Sequence, residues 1–90
     1  MGALRMQLNL KDLQCFVVVY ELRSFSRAAE SLDSAQSLIS SRIHRLEQFI
    51  GTPLFARLPH GIAPNTKGEL LYQHAKRVLD NVAELETAFR

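Results

Sequence analysis

Two helical patterns separated by a very short turn constrain the fold of this chain more than any other feature. The first covers about residues 27–32, with Ser26 as the predicted N-cap. A turn of a few residues follows, and the second pattern covers about residues 36–50, where Gly51 predicts a C-terminal cap. Two helices joined by so tight a turn are typical of a helix-turn-helix.

The segment before this unit predicts another helix, from Asn9 or Leu10 to Leu22. One apolar stripe recurs at helical spacing, and further apolar residues fall on the remaining side. A helix that is apolar nearly all round is buried on two faces. We therefore expect one face to meet the core of the domain and the other face to meet a second partner.

The segment after the helix-turn-helix changes to strand patterns. Residues 54–58 and 62–63 read as two short strands around a turn at 59–61, and Pro64 interrupts the second strand. A hairpin this small is unstable by itself and must lean on the helices. Its position directly after a helix-turn-helix predicts a wing.

From Thr66 to the chain end the pattern is helical again. Asn65 is the better cap type, whereas Thr66 with Glu69 fits a capping box, and the sequence does not separate the two. A heptad seam, the period that mates helices side by side, runs along this helix. The seam, which predicts a dimer interface, consists of Leu71, Ala75, Val78, Val82, Leu85 and Phe89.

The second helix of the helix-turn-helix has an apolar side and a polar side. Its core stripe consists of Ile39, Ile43, Leu46 and Ile50. The polar side consists of Gln36, Ser37, Ser40, Ser41, His44 and Gln48, flanked by Arg42 and Arg45. Short hydroxyls allow close approach to a groove of DNA, and Gln can pair bidentately with adenine. A merely solvated face is the alternative, which the placement in a helix-turn-helix disfavours.

The distribution of charge supports a basic face, although the net charge is only +2. Residues 1–64 carry seven Lys or Arg against five acids, whereas residues 65–90 balance at four against four. Within residues 42–60, three Arg and two His accompany a single acid, Glu47. Such clustering is typical of a nucleic-acid footprint. Arg57, at the foot of the predicted wing, is well placed for a phosphate.

The sequence carries no pattern for catalysis, a cofactor or a metal. The three histidines lie far apart without acidic or thiolate companions, and neither a nucleophile turn nor a glycine-rich phosphate loop is present. The longest apolar run, residues 15–20, is far too short to cross a membrane, and no signal segment opens the chain. We therefore expect a cytoplasmic protein that is not an enzyme, with Cys15 as a small buried hydrophobe.

The chain resembles the N-terminal domain of the LysR family of transcriptional regulators from about Leu8 to its end. Any one matching residue is weak evidence, but their order and spacing across 60 residues are highly specific. The matching residues are Leu13, Phe16, Ser24-Phe25-Ser26-Arg27-Ala28-Ala29, Leu32, Gln36, Ser40, Ile43, Arg45-Leu46-Glu47, Gly51, Pro53-Leu54-Phe55, Arg57, Gly68 and His74-Ala75.

The resemblance implies a mainly α fold: a winged helix-turn-helix over residues 1–64 and a dimerising linker helix over 65–90. It implies a recognition helix in the major groove and a wing at the minor groove or backbone. It also implies a homodimer, with a tetramer as an alternative state of the intact protein, and a small-molecule effector bound by a domain absent from this chain. The expected contacts with double-stranded DNA are Ser26, Arg27, Gln36, Ser37, Ser40, Ser41, Arg42, His44, Arg57 and His60.

The chain departs from the family pattern at a few positions. Ala35 replaces the serine that commonly opens the recognition helix, so we expect capping to pass to Asp33 or Ser34. The frequent arginine after Ser40 is Ser41, with Arg42 one place further round the helix. A winged-helix module that binds another protein is the rival hypothesis, and it would require exposed apolar residues on the recognition face.

Overall fold

The computed structural model describes residues 7–90 of the chain. Their elements in chain order are α1 (Leu10–Leu22), α2 (Phe25–Ser31), α3 (Gln36–Ile50), β1 (Phe55–Leu58), β2 (Gly61–Pro64) and α4 (Thr66–Ala88). This order confirms the predicted mainly helical, winged helix-turn-helix fold with a long final helix. Within the described range, no helix is both long and apolar enough to cross a membrane.

The core is built around α1, which packs against α2, α3 and α4. Phe16 of α1 is completely buried together with Ile39 of α3 and Leu54, which precedes β1. The ring of Phe16 lies 5.5 Å from that of Phe55, so the wing leans on α1 through an aromatic contact. Each large apolar side chain buried in this way contributes roughly 1.5–3 kcal/mol. Cys15 is also buried, and burial raises the pKa of its thiol.

The caps of the first two helices differ partly from the prediction. Asn9 caps α1, because its side chain accepts a hydrogen bond of 2.8 Å from the backbone nitrogen of Lys11. The predicted cap of α2, Ser26, was wrong by two residues. Ser24 has the extended backbone that a cap requires and accepts from Arg27 N at 3.1 Å, so α2 starts at Phe25.

The two ends of α3 are formed differently. At its start Ala35 occupies the cap position without a side-chain hydrogen bond, so the expected capping by Asp33 or Ser34 was wrong. The Ser34 hydroxyl instead donates to the carbonyl of Leu32 at 3.1 Å within the turn. At its end Gly51 adopts the left-handed conformation, φ 90°, that favours glycine, as predicted.

The wing is an antiparallel hairpin with a two-residue turn, in which Leu58 pairs with Gly61. Pro64 was expected to interrupt the second strand, but it belongs to β2 and lies opposite Phe55. A proline is tolerated here because a two-stranded ribbon consists of edges, where a missing N–H group need not break a ladder.

The start of α4 is fastened to the segment before the wing. Asn65 is the cap, since its side chain accepts from Gly68 N at 2.8 Å, and its amide donates to the carbonyl of Pro53 at 2.7 Å. A Cβ atom at Gly68 would lie 2.2 Å from the carbonyl oxygen of Leu54. Glycine at position 68 therefore allows the helix to approach this backbone closely.

A tyrosine pair joins α4 to the end of α1. The rings of Tyr20 and Tyr72 are stacked at 3.8 Å, and the guanidinium carbon of Arg23 lies 5.1 Å from the Tyr20 ring centre. The Tyr72 hydroxyl donates to Glu21 at 2.5 Å, and this bond raises the pKa of Tyr72 to about 12. The second apolar side of α1 thus meets the first half of α4.

Candidate nucleic-acid interface

The polar side of α3 is presented to solvent, as its sequence pattern predicts. Ile39, Ile43 and Leu46 are buried on the opposite side, and this packing determines which residues point outward. The exposed residues of the polar side are Gln36, Ser37, Ser40, Ser41, His44 and Gln48. This face therefore offers hydroxyls, amides and an imidazole at the surface of a rigid helix.

An open groove, the α3–wing groove, separates this helix from the hairpin. Gln36, Ser40 and His44 line it from α3, and Arg57 lines it from β1. Phe25, Ile43 and Phe55 are among its apolar lining residues. Four of the candidate contact residues, from two elements, thus share one groove, in which hydrogen-bonding groups stand beside the cation of Arg57 and the carboxylate of Glu47.

A second depression, the α2–wing hollow, adjoins this groove. It is lined by Ser26 of α2, His60 at the turn of the wing, and again Gln36. Gln36 therefore lies where the groove and the hollow meet. Three further candidate contacts are exposed but lie outside both depressions: Arg27, Ser37 and Ser41.

Arg42 is placed differently from the other candidate contacts. Its side chain is only 18% exposed, and its Nη1 atom donates to Oδ1 of Asp12 at 2.9 Å. Arg45 donates to the same carboxylate from Nε at 3.0 Å and Nη2 at 2.9 Å. These hydrogen bonds, that from Arg45 foremost, hold the pKa of Asp12 below its usual 3.8 against the opposing effect of burial. Two of the three arginines in the basic stretch 42–60 are thus already paired with a carboxylate, which the sequence alone does not indicate.

The heptad seam of α4 is divided by its surroundings. Leu71 is half-buried against the core and Ala75 is 1% exposed, so both face their own domain. Val78, Leu85 and Phe89 are exposed, with Phe89 one residue past the helix end. Two residues of the predicted dimer seam, Leu71 and Ala75, therefore pack within their own domain.

Three residues that sequence reasoning missed belong to these surfaces. Arg23 lines the α2–wing hollow, but only its left-handed backbone, φ 56°, brings it there. Asp12 holds two arginines that are distant in sequence, a pairing without a local signal. Leu70 is exposed on α4 at helical spacing from Val78, and this spacing could have identified it.

The fold and its polar recognition helix define a winged helix-turn-helix protein. The model of the family described as "Bacterial regulatory helix-turn-helix protein, lysR family" matches residues 10–69. The chain therefore belongs to the LysR family of bacterial regulatory helix-turn-helix proteins.

Individual relatives agree with this assignment. The chain is 42% identical over 72 residues to the HTH-type transcriptional regulator BudR of Klebsiella aerogenes, covering 80% of the chain and 50% of that protein. It is 35% identical over 82 residues to CzcR of Bacillus subtilis, covering 91% of the chain and 28% of CzcR. The chain thus spans half or less of the length of these two relatives.

Solved structures share the architecture at the level of the whole domain. The crystal structure of a BenM_DBD/catB site 1 DNA complex superposes with a TM-score of 0.86 at 33% identity. The superposition covers 91% of this chain and 92% of the BenM chain. The winged helix-turn-helix and the long final helix are therefore shared as one arrangement.

Proposed function

We propose that this chain binds duplex DNA sequence-specifically as a homodimer and serves as the DNA-binding part of a LysR-type transcriptional regulator. The observation that carries the proposal is the α3–wing groove, which places Gln36, Ser40 and His44 beside Arg57. Amide and hydroxyl groups on the recognition helix are suited to base edges, and an arginine at the foot of the wing is suited to a phosphate, a contact that carries no base information. The similar BenM structure is a complex with DNA.

The rival hypothesis of a protein-binding module is less well supported. Such a module would present apolar residues on the recognition face. The exposed residues of that face are polar, and the exposed Leu38 and Phe49 of α3 fall on its flank, on the side of Arg42. Relatives of the chain are named as transcriptional regulators, which favours neither a protein-binding module nor an enzyme.

In the proposed complex, α3 enters the major groove and the wing, residues 54–64, lies at the minor groove or the backbone. This assignment follows the general docking of a helix-turn-helix, whose second helix reads bases. Arg42 is left out of the contact set because Asp12 holds it. The proposed contacts are Ser26, Arg27, Gln36, Ser37, Ser40, Ser41, His44, Arg57 and His60.

For the dimer we propose that two α4 helices pack antiparallel through their exposed apolar stripe. The exposed members of the stripe are Leu70, Val78, Leu85 and Phe89, and Val82 between them is half-buried. A helix of 23 residues is about 35 Å long at 1.5 Å per residue, enough to brace two recognition helices apart. Two-fold pairing would place them about one helical turn of DNA apart, or a multiple of it.

Further features of the whole protein follow from the family. We keep the division into a winged domain, 1–64, and a dimerisation segment, 65–90, as a proposal, although Gly68 and Ala75 pack on the winged domain. A cytoplasmic location and an effector-binding domain elsewhere in the protein, with a dimer or tetramer as the assembly, are proposed on the same basis.

Titration of duplex DNA at 50 and 200 mM salt tests the proposal. If a dimer neutralises six or more phosphates, the affinity falls by roughly a thousandfold or more over this range. Gln36→Ala should weaken discrimination at particular base pairs by about 1–3 kcal/mol each, whereas Arg57→Ala should weaken all sequences alike. Binding that does not change with salt would contradict duplex recognition.

A further inference from the structure

We infer that Asp12 is a positioning residue that withdraws the two arginines of the recognition helix from the DNA backbone, so that α3 presents neutral groups to its operator. The inference rests on the proposed function, since it assigns a role to Asp12 within the same DNA interface. It makes Asp12, on α1, a determinant of how strongly the protein prefers its specific site over other DNA.

The geometry of Asp12 is that of an almost saturated acceptor. Asp12 lies in the first turn of α1 and is only 3% exposed. Its two carboxylate oxygens accept three hydrogen bonds, one from Arg42 and two from Arg45. Each bond is 2.9–3.0 Å long, and the Arg45 guanidinium meets the carboxylate with two of its nitrogens. Paired in this way, both guanidinium groups are directed toward α1.

The charges on α3 then cancel. Its charged side chains are Arg42, Arg45 and Glu47, and Glu47 accepts a hydrogen bond of 2.9 Å from the backbone nitrogen of Leu54. With Asp12 included, two positive charges meet two negative charges. The permanent cations at the candidate interface are therefore Arg57 of the wing, Arg27 of α2 and Arg23 at the end of α1.

This separation of charge affects specificity. A cation that neutralises a phosphate strengthens binding to every sequence, whereas hydrogen bonds to base edges reward only the matching bases. Arg45 is 54% exposed and lies one helical turn from Ser41 and Gln48 on the outer face. If it were released from Asp12, its guanidinium would stand beside the recognition face and reach the backbone without regard to sequence.

The variant Asp12→Asn tests the inference because it keeps the shape and an acceptor oxygen but removes the charge. Glu30→Gln is the matched control: it changes the net charge equally at an exposed position of α2, and in the described range the Glu30 side chain makes no ion pair or side-chain hydrogen bond. Affinities are measured by fluorescence anisotropy at 50–200 mM salt. The probes are a duplex that the wild-type chain selects from a random library and an unrelated duplex of equal length.

We expect Asp12→Asn to bind the unrelated duplex roughly tenfold more tightly at 0.1 M salt for each cation it releases, with a salt slope steeper by about 0.9 per cation. The ratio of specific to non-specific affinity should fall, and Glu30→Gln should stay within about twofold of the wild type. In the double variant Asp12→Asn with Arg45→Gln, the part of the increased affinity for the unrelated duplex that comes from the Arg45 guanidinium should be lost.

Arg45→Gln on the wild-type background keeps the inference testable if Asp12→Asn does not fold, since Arg42 still pairs with Asp12 there. We expect its affinity and salt slope to match the wild type. A lowered slope in Arg45→Gln, an unchanged slope in folded Asp12→Asn, or an equal gain in Glu30→Gln would each overturn the inference while leaving DNA binding intact. Absence of salt-dependent duplex binding by the wild type would overturn the proposed function, and the role of Asp12 with it.

Discussion

The two halves of α4 carry similar apolar patterns but have opposite surroundings. In the first half, Leu71 and Tyr72 pack on the core, and Ala75 is buried. In the second half, Leu85 is 61% exposed and Phe89, just past the helix end, is 84% exposed. The heptad seam is therefore only partly covered, because the body of the domain covers only the part of the helix that lies over α1.

This difference indicates how an uninterrupted helix can connect a folded domain to a partner. The first half is attached by the Asn65 cap, the close approach at Gly68 and the tyrosine stack. In the second half Leu79 still packs against the core, whereas Leu85 and Phe89 are exposed, and the proposed dimer would remove them from water. Substitutions at the packed positions of the first half, such as Gly68 and Ala75, should thus change stability, and those at the exposed Leu85 and Phe89 should change assembly.

The largest effect is expected from Leu85→Glu combined with Phe89→Glu. Two charges in the exposed stripe should dissociate the proposed dimer without unfolding the domain. Losing the second DNA-binding unit should lower the affinity for a two-half-site operator by about a hundredfold or more, while binding to a half-site is unchanged. Light scattering beside the titration measures both effects. Gln73→Glu with Thr87→Glu adds equal charge elsewhere on α4 and should stay dimeric, whereas a dimeric stripe variant would refute the assignment.

Gly68→Ala should produce the next largest effect, in the first half of the helix. Helix propensity alone favours alanine by about 1 kcal/mol. The new Cβ, however, would lie 2.2 Å from Leu54 O and 3.2 Å from the Cβ of Pro64. Relieving this clash should lower the free energy of unfolding by about 3 kcal/mol. Urea denaturation measures it, and a stabilised variant would show that the close approach is wrong.

Ala75→Leu compares a buried with an exposed position on the same helix. Its site is 1% exposed, so the extra atoms should overpack the contact with the core and cost about 1–3 kcal/mol. Ala83→Leu makes the same change where the helix is exposed and should shift stability by less than about 0.5 kcal/mol. Equal effects in thermal unfolding would mean that the two halves are not packed differently.

Tyr72→Phe should have the smallest effect, because it keeps the ring stack with Tyr20 and removes only the hydrogen bond to Glu21. We expect a loss of about 0.5–1 kcal/mol at pH 7. Since the bond raises the pKa of Tyr72 from 10.0 to about 12, its stabilisation is complete below pH 10 and disappears as the pH rises through 12. Tyrosinate absorbance should show this late titration in the wild type and not in the variant. If the wild-type absorbance shows no titration near pH 12, the hydrogen bond between Tyr72 and Glu21 is contradicted.

Several features were predictable because their signals are local. The bounds of α3, Gln36–Ile50, and its Gly51 cap agree with the structure, since helical periodicity and a left-handed glycine are properties of neighbouring residues. The polar side of the same helix was predictable for the same reason. The wing followed from turn residues between two short strands, although its exact pairing at Pro64 did not.

Other local signals were ambiguous, and neighbouring contacts decided between them. Asn65 and Thr66 were equal candidates for the cap of α4, and the second hydrogen bond from Asn65 to Pro53 accompanies the choice of Asn65. For α2 the sequence analysis named Ser26, although Ser24 is the same residue type two positions earlier. The extended backbone of Ser24, directly after the left-handed Arg23, makes it the cap.

The sequence by itself determined the order of the elements, the polar face of α3 and the apolar seam of α4, because each depends on the spacing of residues along one segment. Only the tertiary structure decided that Asp12 holds Arg42, 30 residues away, and that Ala75 faces its own domain while Leu85 does not. These outcomes depend on which surfaces the core brings together. Periodicity predicts that a helix has an apolar or basic side, but the packing of other segments decides what covers that side.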